Sequence, residues 1–321
     1  MNRKSSLSIF LSFVVLIFII CSPAILPVLS LQYDTGISSH GTINYSTPSP
    51  RKIFAVWLEA KWTSEKHTAT EFNNLFSTLL AHKINTIYVS NIGLRTSGEV
   101  THPAYSFEIT RALKDYNQAY GTNLQAHVWF GNYWDDRGNP ANLNDVYIQQ
   151  IVLDAIRYYC INPQYPYSGV NFDWEFYFDQ PRANEVVVMT NLAANTFPSL
   201  PITSCTGFNN VFGNKFASNV AGVIPMLYCT QLSGNNYVNW FADIIWNQWQ
   251  NQNAPFILGV PAYLEEVTTE TITLAYQGLQ KAFNAHPQMT VHGLAMFDYD
   301  SAVQHNVWAD WDKAVELISN S

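Results

Sequence analysis

Short apolar runs alternate with longer amphipathic stretches along the chain from residue 51 onward. The apolar runs are nearly continuous rather than alternating, which is typical of parallel strands buried on both faces. They cover residues 53–58, 86–90, 124–130, 169–174, 202–205, 222–228, 256–261 and 293–297. This pattern predicts eight strands.

The stretches between these runs have the apolar spacing of helices. The predicted helices cover residues 70–82, 107–120, 144–159, 182–195, 236–252, 271–285 and 307–318, and the connection at 208–219 has the weakest helical pattern. Eight repeats of strand and helix predict a (β/α)₈ TIM barrel over residues 51–321. An open doubly wound sheet is the alternative, but residues 57–61 after the first strand lack the glycines of a phosphate-binding loop.

The first 50 residues differ from the rest of the chain. Arg3 and Lys4 precede an apolar run at 7–20, which predicts a signal peptide over residues 1–30 with a cleavage site near 28–30. Because weakly apolar sequence continues to residue 31, an uncleaved membrane anchor over 7–31 stays open. Residues 31–50 are rich in Ser, Thr, Gly and Pro and are predicted to be a linker. We therefore expect a secreted barrel, or an anchored one that faces outside the cell.

The composition of the chain limits the kinds of partner that we expect it to bind. Only 12% of the residues are charged, and the formal net charge is −8. An acidic chain without a basic run argues against nucleic acid as a partner. The eight His residues show no metal-ligand spacing, so neither a metal nor another cofactor is expected. The composition does not indicate an oligomeric state.

The fourth predicted strand holds the clearest group of candidate catalytic residues. Asn171, Asp173 and Glu175 are spaced by two, so in an extended strand they point to one side. In a TIM barrel, catalytic groups lie where strands end. Two neighbouring carboxyl groups repel each other when ionised, so one of them keeps its proton to a higher pH. A general acid for glycosidic cleavage has this property.

Three segments resemble one known family. Ser168-Gly-Val-Asn-Phe-Asp-Trp-Glu175 is similar to the D-G-x-D-x-D-x-E motif on the fourth strand of glycoside hydrolase family 18, the chitinase family. Met226-Leu-Tyr228 resembles that family's M-x-Y on the sixth strand. Gly293-Leu-Ala-Met-Phe-Asp298 resembles its motif on the eighth strand.

The resemblance implies substrate-assisted hydrolysis of glycans that contain β-linked N-acetylglucosamine. By position, Glu175 would be the proton donor, Asp173 would orient the substrate acetamido group, and Tyr228 would hydrogen-bond its oxygen. The residues implied to bind the substrate are Asn171, Met226, Phe297 and Asp298.

The chain also departs from the family pattern. Ser168 and Asn171 stand where the family has Asp, Phe297 where it has Trp, and Cys229 where an acid is usual. The family's S-x-G-G on the third strand is absent, and His127-Val-Trp-Phe-Gly131 stands there. Since Asn171 cannot carry a charge, we expect Asp173 to stay ionised more readily. These departures affect the substrate more than the reaction type.

Aromatic residues near strand ends are candidate sugar platforms. They are Trp57, Trp129, Trp134 and Trp174, with Trp129 first because a loop continues from it. Core packing is an equal interpretation for each ring.

Cys205 and Cys229 lie near the ends of two consecutive predicted strands. Either they form a disulfide or they are two buried free thiols, and the spacing does not decide between these states.

Two other functions fit the pattern. A retaining β-glycosidase with two glutamates would use Glu175 as acid/base and Glu265, after the seventh strand, as nucleophile. A catalytically inactive, lectin-like barrel would bind a saccharide without cleaving it. The retained Glu175 argues against this third interpretation.

Overall fold

The computed structural model describes residues 51–132, 139–177, 182–208, 213–264 and 270–321, with residues 90, 91, 176, 213, 263 and 264 described by their backbone only. The predicted signal or anchor segment and the linker lie outside these residues, and so do Trp134 and Glu265. Export and membrane attachment therefore stay predictions. None of the helices in the described part is long and apolar enough to cross a membrane.

Eight parallel strands close into a barrel. They are β1 (Ile53–Trp57), β2 (Thr86–Leu94), β3 (Gln125–Asn132), β4 (Gly169–Asp173), β5 (Ile202–Gly207), β6 (Gly222–Met226), β7 (Ile257–Pro261) and β10 (Gly293–Phe297). The order around the barrel is β1-β10-β7-β6-β5-β4-β3-β2. A two-stranded antiparallel hairpin of β8 (Tyr263–Leu264) and β9 (Glu270–Thr271) follows β7. The predicted (β/α)₈ barrel is confirmed.

Helices connect and surround the strands. They are α1 (Lys61–Ser64), α2 (Ala69–Ala81), α3 (Glu108–Tyr120), α4 (Val146–Ile156), α5 (Ala183–Thr196), α6 (Gly234–Trp249), α7 (Ile272–Ala285), α8 (Tyr299–His305) and α9 (Trp308–Ser319). A π-helical turn, Arg157–Ile161, continues α4. The weak helix predicted at 208–219 is wrong in its described part, where only the 3₁₀ turn Gly213–Lys215 is helical.

Local sequence fixes where the helices begin. Thr68 caps α2 by a capping box, in which Thr68 Oγ1 accepts from the Glu71 amide at 3.2 Å and Glu71 Oε2 accepts from the Thr68 amide at 2.6 Å. Asp145 caps α4 by accepting from the Tyr147 amide at 2.8 Å. Such side chains satisfy amides that would otherwise lack partners in the first turn.

Two apolar clusters hold the barrel together. The larger one lies between the strands and the helices, and every residue of β4, β6 and β7 is buried. The smaller one fills the barrel interior, and its members include Ala55, Trp57, Tyr88, Cys205, Ile224, Tyr228, Ile257 and Ala295. Side chains thus alternate between the interior and the helical layer, as the strand period of two requires.

Candidate functional site

The end of β4 sets the centre of the site. Asn171 and Asp173 point into the barrel and are buried, whereas Glu175 follows in the 3₁₀ turn Glu175–Tyr177 and is exposed. The strand therefore ends two residues before Glu175. The negative charge of Glu175 acts directly on Asp173 and raises its pKa. The two acids thus face each other at the carboxyl end of the barrel.

Asn171 is held at both ends of its side-chain amide. The Trp57 indole donates to Asn171 Oδ1 at 3.2 Å, and Asn171 Nδ2 donates to Thr203 Oγ1 at 3.0 Å. The Thr203 hydroxyl in turn donates to the Val170 carbonyl at 3.1 Å. This chain of bonds uses both ends of the Asn171 amide inside the protein, so Asn171 supports the site from below.

Asp173 is a buried carboxyl group with an incomplete set of partners. It is 7% exposed, and within the described part of the chain its Oδ1 accepts no hydrogen bond. Burial and then the charge of Glu175 hold its pKa well above the ordinary value, and the Cys205 thiol and the Trp129 indole oppose this shift. A neutral Asn171 adds no further repulsion, so the expectation that Asp173 ionises more readily than it would above a second acid stays a prediction. Desolvation nevertheless holds the pKa of Asp173 above that of an ordinary Asp.

An aromatic floor closes the other side of the site. The rings of Tyr228 and Phe297 are stacked, with centroids 5.7 Å apart and planes 15° apart. The Trp57 ring meets Phe297 edge-on at 6.3 Å. Burial and the charge of Asp173 raise the pKa of Tyr228, so its hydroxyl keeps its proton and is a donor. Sequence-separated residues from β6 and β10 therefore reach the carboxyl pair of β4.

The remaining predicted binding residues lie around this floor with different degrees of access. Met226 is buried in the barrel interior, and Trp129 is half-buried and packs against the same interior cluster. Asp298 is buried, and its carboxylate caps α8 by accepting from the Ser301 amide at 2.8 Å. Asp298 thus already has an internal partner, whereas the indole N–H of Trp129 is directed toward the Asp173 carboxyl.

For two of the candidate sugar platforms the structure favours the alternative interpretation, core packing. Trp174 is fully buried and packs on Phe172, with ring centroids 5.5 Å apart, in the layer between strands and helices. Its side chain points outward because it lies two residues after the outward-facing Phe172. Trp57 is 1% exposed and uses its indole N–H on Asn171, so it lies beneath the site and presents no face to a sugar.

The cysteines of the described chain are free thiols. Cys160 and Cys205 are buried, and Cys229 is exposed just after β6. Of the two states that the sequence left open for Cys205 and Cys229, the structure has free thiols, although only Cys205 is buried.

Sequence reasoning missed a group of acids beside the floor. Carboxylate oxygens of Glu59, Asp298 and Asp300 lie within 4.8 Å of one another, and Lys61 pairs with Asp300 at 2.8 Å. Burial, and then Asp298 and Asp300, raise the pKa of Glu59. The sequence carried a signal for this group: its members follow the first and last barrel strands, which become neighbours when the barrel closes.

Comparison with known proteins supports the fold. No protein-family model matches the sequence. No curated protein matches it either. Solved structures do match: a chitinase from Bacteroides thetaiotaomicron has a TM-score of 0.58 and 11% identity, over 84% of this chain and 98% of that one.

Two further structures are similar to the same extent. A family 18 chitinase from Pseudoalteromonas aurantia has a TM-score of 0.54 and 13% identity, over 82% of this chain and 98% of that one. Human YKL-39, described as a pseudo-chitinase with retained chitooligosaccharide binding, has a TM-score of 0.57 and 9% identity, over 84% of this chain and 100% of that one. At these identities the similarity shows a shared barrel fold.

Proposed function

We propose that this chain is a divergent member of glycoside hydrolase family 18 that cleaves β-linked N-acetylglucosamine-containing glycans by substrate-assisted catalysis. The observation that carries the proposal is the convergence of Glu175, Asp173 and Tyr228 at the carboxyl end of the barrel, from two strands far apart in sequence. The chitinase-like barrels that share the fold add support.

Glu175 is the proton donor. It is exposed at the mouth, where a glycosidic oxygen can reach it. As the bond from the anomeric carbon to that oxygen breaks, Glu175 gives its proton to the leaving sugar. The acetamido carbonyl oxygen forms a bond to the anomeric carbon and yields an oxazolinium ion. Water then opens the ring at the anomeric carbon and returns a proton to Glu175, with retained configuration.

Asp173 and Tyr228 handle the acetamido group. Asp173 Oδ1 lacks a donor in the described structure, and an acetamido N–H would supply one. Tyr228 keeps its proton and would donate to the acetamido oxygen. When the oxazolinium ion forms, its positive charge favours the ionised form of Asp173. The stabilisation is therefore stronger in the transition state than in the ground state, which is what catalysis requires.

Phe297 would form the surface under the reacting sugar. It is half-buried and fixed by stacking on Tyr228. An apolar ring of this kind supports the apolar face of a pyranose. Phe297 offers no N–H donor, so recognition at this position is by contact alone.

A saccharide-binding barrel without turnover is the second candidate. It is favoured by the similarity to the pseudo-chitinase YKL-39, which combines this fold with retained chitooligosaccharide binding. It is also favoured by Asn171, since the acid of the family pattern is replaced directly below Asp173.

A matched pair of substrates tests the proposal. Chitohexaose and cellohexaose share the β-1,4 linkage and differ in the acetamido group. We expect reducing ends to be released from chitohexaose only. The first product should have the β configuration when it is observed by ¹H NMR, and a thiazoline analogue of the oxazolinium ion should inhibit the reaction. Cleavage of cellohexaose at a comparable rate would exclude the substrate-assisted mechanism. Calorimetric binding of chitohexaose without cleavage would establish the second candidate instead.

A further inference from the structure

Cys205 lies directly beside Asp173 in the barrel interior. Asn171 pairs with Thr203 and Phe172 with Ser204 between β4 and β5, so the next position of β5, Cys205, is level with Asp173 and shares its inward face. Cys205 is 0% exposed. Its Sγ lies 3.7 Å from Asn171 Nδ2 and 3.9 Å from Asn171 Oδ1. The thiol thus occupies the space between the amide of Asn171 and the carboxyl of Asp173.

Asn171 is not free to turn toward Asp173. Trp57 holds its oxygen and Thr203 holds its nitrogen, at 3.2 and 3.0 Å. Rotation of the amide would break both bonds in a buried setting, where an unpaired polar group is destabilising. The Cys205 thiol is therefore a donor that can serve the buried, incompletely bonded Asp173 carboxyl, together with the Trp129 indole.

The groups around this carboxyl determine the state of the thiol. Glu175 faces Asp173 from the end of β4, Tyr228 from the end of β6, and Trp129 from β3. Tyr88 of β2 faces Cys205 itself. Burial and the charge of Asp173 raise the pKa of the Cys205 thiol, so it remains S–H and acts as a neutral donor.

We propose that Cys205 is a positioning residue for Asp173: fixed in place by Asn171, its thiol supports the Asp173 carboxyl from below and keeps it facing Glu175 and the incoming acetamido group. This inference rests on the proposed function for its catalytic meaning, although the contact itself does not depend on turnover. It assigns to a neutral amide and thiol the support that a second buried acid would give. A neutral support adds no charge to a pocket that already holds two acids.

The test measures the Asp173 proton directly. A buried protonated carboxyl has a distinct infrared carbonyl band, and Asp173→Asn identifies the band by removing it. The midpoint of its titration is compared among the wild-type protein, Cys205→Ala, Cys205→Ser and Cys160→Ala. Cys160 is the matched control, since it is a second buried thiol, whose Sγ contacts the Gly169 carbonyl at 3.7 Å and lies outside the interior cluster.

A donor favours the ionised form of a carboxyl group, so its removal raises the pKa. We expect Cys205→Ala to raise the midpoint by about 0.5–1 pH unit, the effect of losing one weak hydrogen bond. Cys205→Ser should lower it below the wild-type value, because a hydroxyl is the stronger donor. Cys160→Ala should leave it unchanged. A midpoint in Cys205→Ala equal to that of the wild-type protein would overturn the inference, and so would an unmoved midpoint in Cys205→Ser if the alanine variant does not fold.

Activity gives an independent second measurement. The acid limb of the kcat profile on chitohexaose should move in the same direction as the infrared midpoint in each Cys205 variant. If no variant and no wild-type protein cleaves chitohexaose while the infrared midpoint still moves, the proposed function fails and the positioning role stands. If cleavage occurs and neither profile moves, the positioning role fails and the function stands.

Discussion

At the residue scale, the site is built around a carboxyl group whose ionised form the fold destabilises. Asp173 is buried, and Glu175 repels its negative charge. Asn171 directs its hydrogen bonds to Trp57, Thr203 and Cys205 rather than to substrate. Sequence spacing was enough to predict that Asp173 and Glu175 are neighbours. It was not enough to predict the pKa direction, because desolvation depends on residues from β3, β5 and β6 that spacing along β4 cannot reveal.

The pH dependence of the protein's stability should show that the fold destabilises the ionised form of Asp173. Since the pKa of Asp173 is raised in the folded state, the folded protein binds one proton more than the unfolded chain between the ordinary Asp pKa and the folded value. Its contribution to stability is therefore complete below the ordinary pKa and declines as the pH rises through this window. Asp173→Asn removes the decline. Thermal unfolding should show a higher Tm than wild type at pH 7 and a smaller difference near pH 4, and a Tm gain that is larger at pH 4 would contradict the assignment.

At the element scale, the strands were easier to predict than their ends. Burial on both faces gives apolar runs that mark each strand, and β10 has the predicted bounds of 293–297. By contrast, β2 continues to Leu94, past the predicted residue 90, because it pairs with β3 again after an irregularity between Val89 and Ile92. The outward direction of Trp174 could have been predicted from the strand period, since Phe172 fixes the outward face. The acids that follow β1 and β10 could also have been grouped from the predicted barrel, because its closure makes the first and last strands neighbours.

The pairing of β1 with β10 closes the barrel. Gly293 allows the two strands to approach closely enough to pair. A Cβ at Gly293 would lie 1.8 Å from the Ile53 carbonyl oxygen, which is backbone and cannot rotate away. Gly293→Ala should therefore unfold or strongly destabilise the protein, by more than about 4 kcal/mol. Gly169→Ala is the comparison, because its Cβ would meet the His127 ring at 2.6 Å, and a side chain can move. Urea unfolding should show a greater loss for Gly293→Ala than for Gly169→Ala, and the reverse order would contradict this closure.

At the scale of the whole molecule, the barrel carries no covalent bridge among its described cysteines. Cohesion comes from two apolar clusters, one inside the strands and one between strands and helices. Chain closure also brings distant residues together at one end, which is how Glu175, Tyr228 and Phe297 share a site. The predicted fold class followed from counting strands, whereas the contents of the site required the closed barrel.

Thiol accessibility checks this arrangement. With the chain from residue 51 onward in native buffer, a thiol reagent should modify Cys229 rapidly and leave Cys160 and Cys205 unmodified. Burial and the nearby Glu270 and Glu175 raise the pKa of the Cys229 thiol, so its rate should rise with pH above neutrality. Mass spectrometry of tryptic peptides identifies the site. Cys229→Ser should abolish the rapid phase, and rapid labelling of Cys205 would contradict its burial in the barrel.

The central claim is that Glu175 donates the proton that breaks the glycosidic bond, and one measurement tests it most directly. Initial rates of chitohexaose cleavage and calorimetric Kd values are determined for the wild-type protein and Glu175→Gln. Loss of a general acid typically costs about 10²- to 10⁴-fold in rate. We expect a fall of at least about 10²-fold in kcat with a Kd changed by less than about threefold, because glutamine fills the same space and cannot give up a proton. Cleavage at the wild-type rate by Glu175→Gln would contradict the account.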